Sequence, residues 1–218
     1  MPDSPDSPDS PDNSDRPDNS DRPDNSDRPD NTELDTDLLA LGTAVAASAE
    51  HYLETTQKVA SGDNPDAAIP LLLLAVSDLS AVGARLGAIV DVVPAHRFEP
   101  DDGPEFDVEP LRDSLLQVLD GVDEYYWVQD PVVGPAVSTE SLSNDLTDVA
   151  QALAVGLRHH RAGNASEALW WWQFSYLSDW GESAASATRV LLSIIAHLRL
   201  DVDDDVAAEA EFDALHAE

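Results

Sequence analysis

NASEALWWWQFSYLSDWG, residues 164–181, decides how the rest of the chain is read. It holds four of the five tryptophans, with Phe174 and Tyr176 between them, in a chain that is only 6% aromatic. Asn164 is placed to cap a helix, and Glu167 stands three residues on, where a capping-box partner reaches back to the cap amide. Residues three and four apart share a helix face. That spacing groups Trp170, Phe174 and Leu177 on one stripe and Leu169, Trp172, Tyr176 and Trp180 on an adjacent one. Read together, the stripes form one broad apolar surface, and an aromatic stripe at helical spacing reads first as core. Five such rings would remove on the order of 20 kcal/mol of apolar surface from water, before ordering entropy is counted. Trp171 falls in line with Ser175 and Ser178 instead, which marks it as either loosely exposed or an interface anchor.

Around this segment the chain reads as helices. Leu38 to Ala60 carries Leu38, Leu41, Val45, Ala49, Tyr52 and Leu53 at helical spacing, ended by Gly62 as a left-handed cap. Asn64-Pro65-Asp66 opens a second helix to about Val90, with Leu72, Val76, Leu79, Val82, Leu86 and Ile89 inward. Three prolines and a glycine make residues 91–106 a connection, and Asp107 caps a third helix running to Leu119. A fourth helix starts near Ser141 and runs to Arg161, its last turn Arg158-His159-His160-Arg161 complementing the helix dipole. Ala162-Gly163 turns the chain into the aromatic segment, and Gly181 is expected to bend or interrupt the helix that continues through Leu200. Residues 120–140, with Pro131 and Pro135, read as a loop whose Tyr125, Tyr126 and Trp127 must pack on something. The fold predicted is all-α: a single bundle of about five or six helices built from two helical hairpins.

Residues 2–10 are three copies of Pro-Asp-Ser, and residues 11–28 three copies of Pro-Asp-Asn-Ser-Asp-Arg. With nothing apolar but proline between Met1 and Leu34, residues 1–37 cannot offset the entropy of ordering and read as a disordered tail. The bundle is assigned to 38–200, and 201–218 to an acidic C-terminal tail. Of the net charge of −33, residues 1–37 supply −10, so −23 belongs to the remainder. Such a surface repels phosphates and anionic lipid, so neither nucleic acid nor a membrane is expected as partner. No secretory leader is read at the N-terminus, which gives a cytoplasmic expectation, and the absence of cysteine removes thiolate chemistry and disulfides.

SLSNDLTDVAQAL from Ser141, ALWWWQFSYLSDWG from Ala168 and ESAASATRVLLSI from Glu182 together resemble the actinobacterial family known as domain of unknown function 5063. The resemblance rests on Ser141, Leu142, Asp145 and Leu146, on Trp172, Phe174, Ser175, Tyr176, Trp180 and Gly181, and on the Tyr125–Trp127 run. It spans about residues 38–200, strongest over 123–198, and departs at Asp179, where some relatives carry His or Asn. It implies an all-helical domain and no established activity.

No chemical motif dominates. Glu50 and Glu54 share a face without a Glu-x-x-His partner, Asp145 and Asp148 suit the first turns of a helix, and the adjacent His159 and His160 point apart. No cofactor or metal site is read, and no Gly-rich phosphate loop or nucleophile elbow is present. Two functions remain. The first is a non-enzymatic interaction or regulatory module, binding a protein partner or a second copy through Trp171, Tyr125, Tyr126 and Trp127. The second is an enzyme or small-ligand binder using a cleft between that loop and the aromatic helix, with Glu124, Asp130, Asp145 and Gln173 converging there. A concave junction would favour the second, a solid one the first.

Overall fold

The computed structural model describes residues 31–94, 104, 106–128 and 136–200. Of the tails expected over 1–37 and 201–218, residues 1–30 and 201–218 lie outside these residues. Helix α1 spans Asn31–Ala60, so its start precedes the boundary expected at residue 38. It turns at Gly62, whose φ of 72° is the left-handed cap read from the sequence, into α2, Pro65–Ala88. Proline at the first helical position lacks only an amide that would have been unpaired. Pro70, one turn in, is accommodated without ending the helix. Helix α3, Glu109–Val118, follows, with its first amide bonded to the Asp107 carboxylate at 3.2 Å.

The chain next forms two strands, β1 Glu124–Val128 and β2 Val137–Ser141, paired antiparallel, where a loop was expected. Beyond them run α4, Leu142–Arg161, and α5, Ala165–Ser175, then a π-helical turn, Tyr176–Trp180, and α6, Gly181–Leu200. The fold is an all-α bundle carrying one small hairpin. Its helical pairs are α1 with α2 and α4 with α5, as the glycine turns imply, and α6 returns to pack on both α2 and α4. By length and composition α2 would also suffice to cross a membrane, in spite of Ser77 and Asp78. In the bundle it buries Leu72, Val76, Leu79 and Leu86.

The aromatic segment is the centre of this packing, but not as one broad surface. Trp172 and Trp180 are fully buried and Leu169 nearly so, whereas Phe174 is 54% and Leu177 63% exposed. The reason is angular. At about 100° per residue, Trp170 and Phe174 lie some 160° away from Trp172, nearly opposite rather than adjacent. They stack on each other at the surface, with ring centroids 5.7 Å apart. Each fully buried indole is worth about 5 kcal/mol of gross apolar transfer.

The two buried indoles occupy seats made by glycines on facing helices. A Cβ at Gly156 of α4 would come within 2.0 Å of Trp172 Nε1. One at Gly83 of α2 would come within 2.7 Å of Trp180 and 2.6 Å of Tyr176. Close approach lets the indoles reach backbone carbonyls: Trp172 N–H donates to Leu153 O at 3.3 Å and Trp171 N–H to Ala152 O at 2.9 Å. Trp171 is therefore half-buried and tethered to α4, not projecting away from the core.

Gly181 does not break the helix; its backbone is helical at φ −64°, ψ −39°. The irregularity lies just before it. In a regular α-helix Trp172 and Trp180, eight apart, would diverge by about 80°. The extra residue of the π turn brings them to within about 20°. A Cβ at residue 181 would stand 2.4 Å from the Tyr176 carbonyl, so glycine is what allows this turn to close. Asn164 makes no side-chain cap, so the capping box read from the sequence does not form. The turn is held instead by Gly163, at φ 85°, and the Asn164 amide bonded to His159 O at 2.9 Å.

Candidate functional site: an acidic cleft beneath the hairpin

Aromatic and β-branched residues dominate Glu124–Val128, and alternation gives the strand two faces. Tyr125 and Trp127 turn toward the bundle and are half-buried; Glu124, Tyr126 and Val128 face solvent, Tyr126 at 78% exposure. The root of the hairpin is fixed by Asp123, which is 5% exposed. Its carboxylate accepts from Ser141 Oγ at 2.6 Å, Ser143 N at 2.7 Å and Ser143 Oγ at 3.1 Å. The carboxylate thus sits on the first amides of α4, where the helix dipole favours an anion.

From this root Tyr125 reaches over α4 and donates its hydroxyl hydrogen to Asp145. Arg189, from α6, lies against both rings, its guanidinium carbon 5.6 Å from the Tyr125 centroid and 5.3 Å from that of Trp127. Between the hairpin, α4, the π turn and the start of α6 lies a cleft of about 300 Å³. Tyr125 and Trp127 wall one side; Glu140, Asp145, Asp148, Asp179 and Glu182 bring five carboxyl groups to it, with Ser178, Ser183 and Ser186 between them. The π turn is what presents Ser178 and Asp179 here, and such turns recur at functional sites.

The electrostatics follow from that geometry. Burial first, then the charges of Asp148, Glu140 and Asp123, pushes Asp145 up to about 7, against the opposing effect of the Tyr125 hydrogen bond. Asp148 is raised by burial and by Asp179, with Arg112 acting in the other direction. Tyr125 is raised by burial and by its bond to Asp145, so its hydroxyl stays a donor. Among the described residues no lysine or arginine pairs with Asp145. Nor does any group of three acidic or histidine side chains there form a metal-binding set.

Of the residues anticipated for a cleft, Asp145 lines it. Glu124 is exposed on the strand opposite Ser141 and does not line the cleft. Asp130 lies outside the described residues. Gln173 is elsewhere: buried, it donates to Leu86 O at 3.0 Å and Val90 O at 3.2 Å and accepts from Val92 N at 2.7 Å, closing off the end of α2. Of the anticipated interaction surface, Tyr125 and Trp127 face the cleft, Tyr126 faces solvent and Trp171 is tied to α4. Glu140, Asp148, Asp179, Glu182 and Arg189 were not anticipated here. The available signal was the spacing of Asp179 in the π turn and Glu182, Ser186 and Arg189 in α6, three or four apart.

A model of the family described as Domain of unknown function (DUF5063) matches residues 38–197. The chain belongs to that family. Both halves of the cleft, the hairpin with α4 and the π turn with α6, lie inside the DUF5063 match. Comparison with curated proteins finds no match. Among solved structures, the DUF5063 domain is similar to the crystal structure of protein BF1032 from Bacteroides fragilis. The TM-score is 0.56 at 14% identity, covering 74% of this chain and 94% of that one. The likeness extends to the fold alone.

Proposed function

We propose that this DUF5063 domain is a non-enzymatic binding module whose cleft receives a positively charged group, an ammonium or a guanidinium. The observation that carries the reading is the convergence of five carboxyl groups on one aromatic-walled cavity, with Asp145 among them unpaired by any described cation. Carboxylates held together in a partly dry space repel one another, and an entering cation relieves that repulsion. A volume of about 300 Å³ is at the lower end of small-molecule sites and also accepts one side chain of a partner protein. The earlier alternative of a cleft between the hairpin and the aromatic helix is thus favoured over a flat surface centred on Trp171.

Calorimetric titration of the full chain tests this, with spermidine and agmatine as free cations and a Lys/Arg-containing peptide as the protein-borne form. Cationic probes are expected to bind, neutral isosteres not, and Asp148→Asn with Asp179→Asn to weaken binding at least tenfold. Tighter binding of the peptide than of the free amines assigns the site to a protein partner; the reverse order assigns it to a small molecule. Absence of binding by every cation, or binding that the double variant leaves unchanged, rejects the reading.

A further inference from the structure

Two-stranded hairpins are marginal in water unless they pack on something. The hairpin β1–β2 packs through one face only, and its outward Tyr126, Val128 and Val137 are exposed. Its position over the cleft rests on the Asp123 root and on two inward rings, Tyr125 and Trp127. We propose that this hairpin is a flap, latched by Tyr125 on Asp145 and by Arg189 against both rings, and that protons on the carboxyl groups beneath it decide whether it is down. The inference concerns the same cleft but holds whether or not a cation enters it, so its test is run without ligand.

Every element around Asp145 contributes to the balance. From α4 it faces Asp148, from β2 Glu140, from the hairpin root Asp123 and from β1 the Tyr125 hydroxyl. Asp179 of the π turn acts through Asp148, as does Arg112 of α3, and Glu182 of α6 lines the same space. Tyr52 of α1, buried behind α4, spends its own hydroxyl on Leu146 O at 2.8 Å. Arg189 of α6 is seated on the two rings of the hairpin. With the flap down, an ionised Asp145 is partly shielded from water and surrounded by like charge. With the flap up, water reaches it.

The linkage has a definite sign. Asp145 titrates at about 7 with the flap down and, once hydrated, in the ordinary carboxylate range near 4. Below 7 the closed form gains from binding a proton more tightly. As pH rises from about 4 to 7, that advantage is progressively lost, by up to tenfold per pH unit, and above 7 it levels off.

Amide hydrogen exchange of the full chain at about pH 6, 7 and 8, corrected for intrinsic rates, reads the flap directly. Protection of residues 124–128 and 137–141 is expected to fall about fivefold from pH 6 to 7 and by no more than about twofold from pH 7 to 8, while α4 keeps its protection. Asp145→Asn holds the hairpin at its pH 6 level throughout; Tyr125→Phe lowers protection at every pH. Carbon-detected titration of Asp145 in the unaltered chain is the second measurement, expected to show a midpoint near 7. The proposal is overturned by hairpin protection that ignores pH, by a fall equally present in Asp145→Asn, by parallel loss across α4, or by a midpoint near 4.

Discussion

Asp145 is held against its own solvation, and a side chain so placed lowers the stability of the fold wherever it is ionised. Its folded value of about 7 lies above the unfolded value of 3.8. The stabilising proton is therefore fully felt below the unfolded value and lost as pH rises from about 4 to 7. Asp145→Asn is expected to raise stability at pH 8 by on the order of 1–2 kcal/mol, allowing for partial solvent access, and to change little at pH 4. Thermal melts of both proteins at the two pH values check this; an equal shift at each would show that the carboxylate is not strained. Trp171 makes the opposite case. Tethered to Ala152 O at 2.9 Å, it supports the bundle, so Trp171→Ala should cost about 2–4 kcal/mol rather than leave stability untouched.

At the scale of elements, the meeting of α4 with the aromatic helix depends on a bare backbone at Gly156. A methyl there would overlap the Trp172 ring, whose nearest atom stands 2.0 Å from the added carbon. Gly156→Ala is expected to destabilise by about 1–3 kcal/mol in spite of alanine's better helix propensity. Denaturant titration would decide the sign, and a stabilised variant would mean that Trp172 is free to move aside. The helices were legible in the sequence because Leu, Val and Ala recur every three or four residues, and because Gly62 and Gly163 mark real left-handed turns. The hairpin was hidden by Pro131 and Pro135, which argue against a regular helix but say nothing against strands on either side. The alternation in EYYWV and VSTES was there to be read. The cleft was legible only at Asp145, Tyr125 and Trp127. Its other half depends on how α6 is rotated, and that is set by a one-residue expansion that no local propensity announces.

For the molecule as a whole, charge is the governing quantity. With 44 acidic against 11 basic residues, compaction brings like charges together, and dissolved salt screens them over about 10 Å at 0.1 M. The melting temperature is expected to rise by several degrees between 20 mM and 500 mM sodium chloride, measured by calorimetry. A fall over that range would show that the described ion pairs, such as Arg161 with Glu50 at 2.9 Å, outweigh the repulsion.

The rod formed by α5, the π turn and α6 carries a further consequence. Upstream of the expansion its side chains are aimed by the seat at Gly156; downstream they are aimed by an offset of about one hundred degrees. Excising Ser178 would give an unbroken α-helix, shorter by a single amino acid and intrinsically smoother. Yet the same excision would swing Glu182, Ser186 and Arg189 around the barrel of the rod and out of register with the rings above them. Regularity and assembly of the cleft are thus alternatives in this chain, and the irregular turn is the hinge pin on which the second depends.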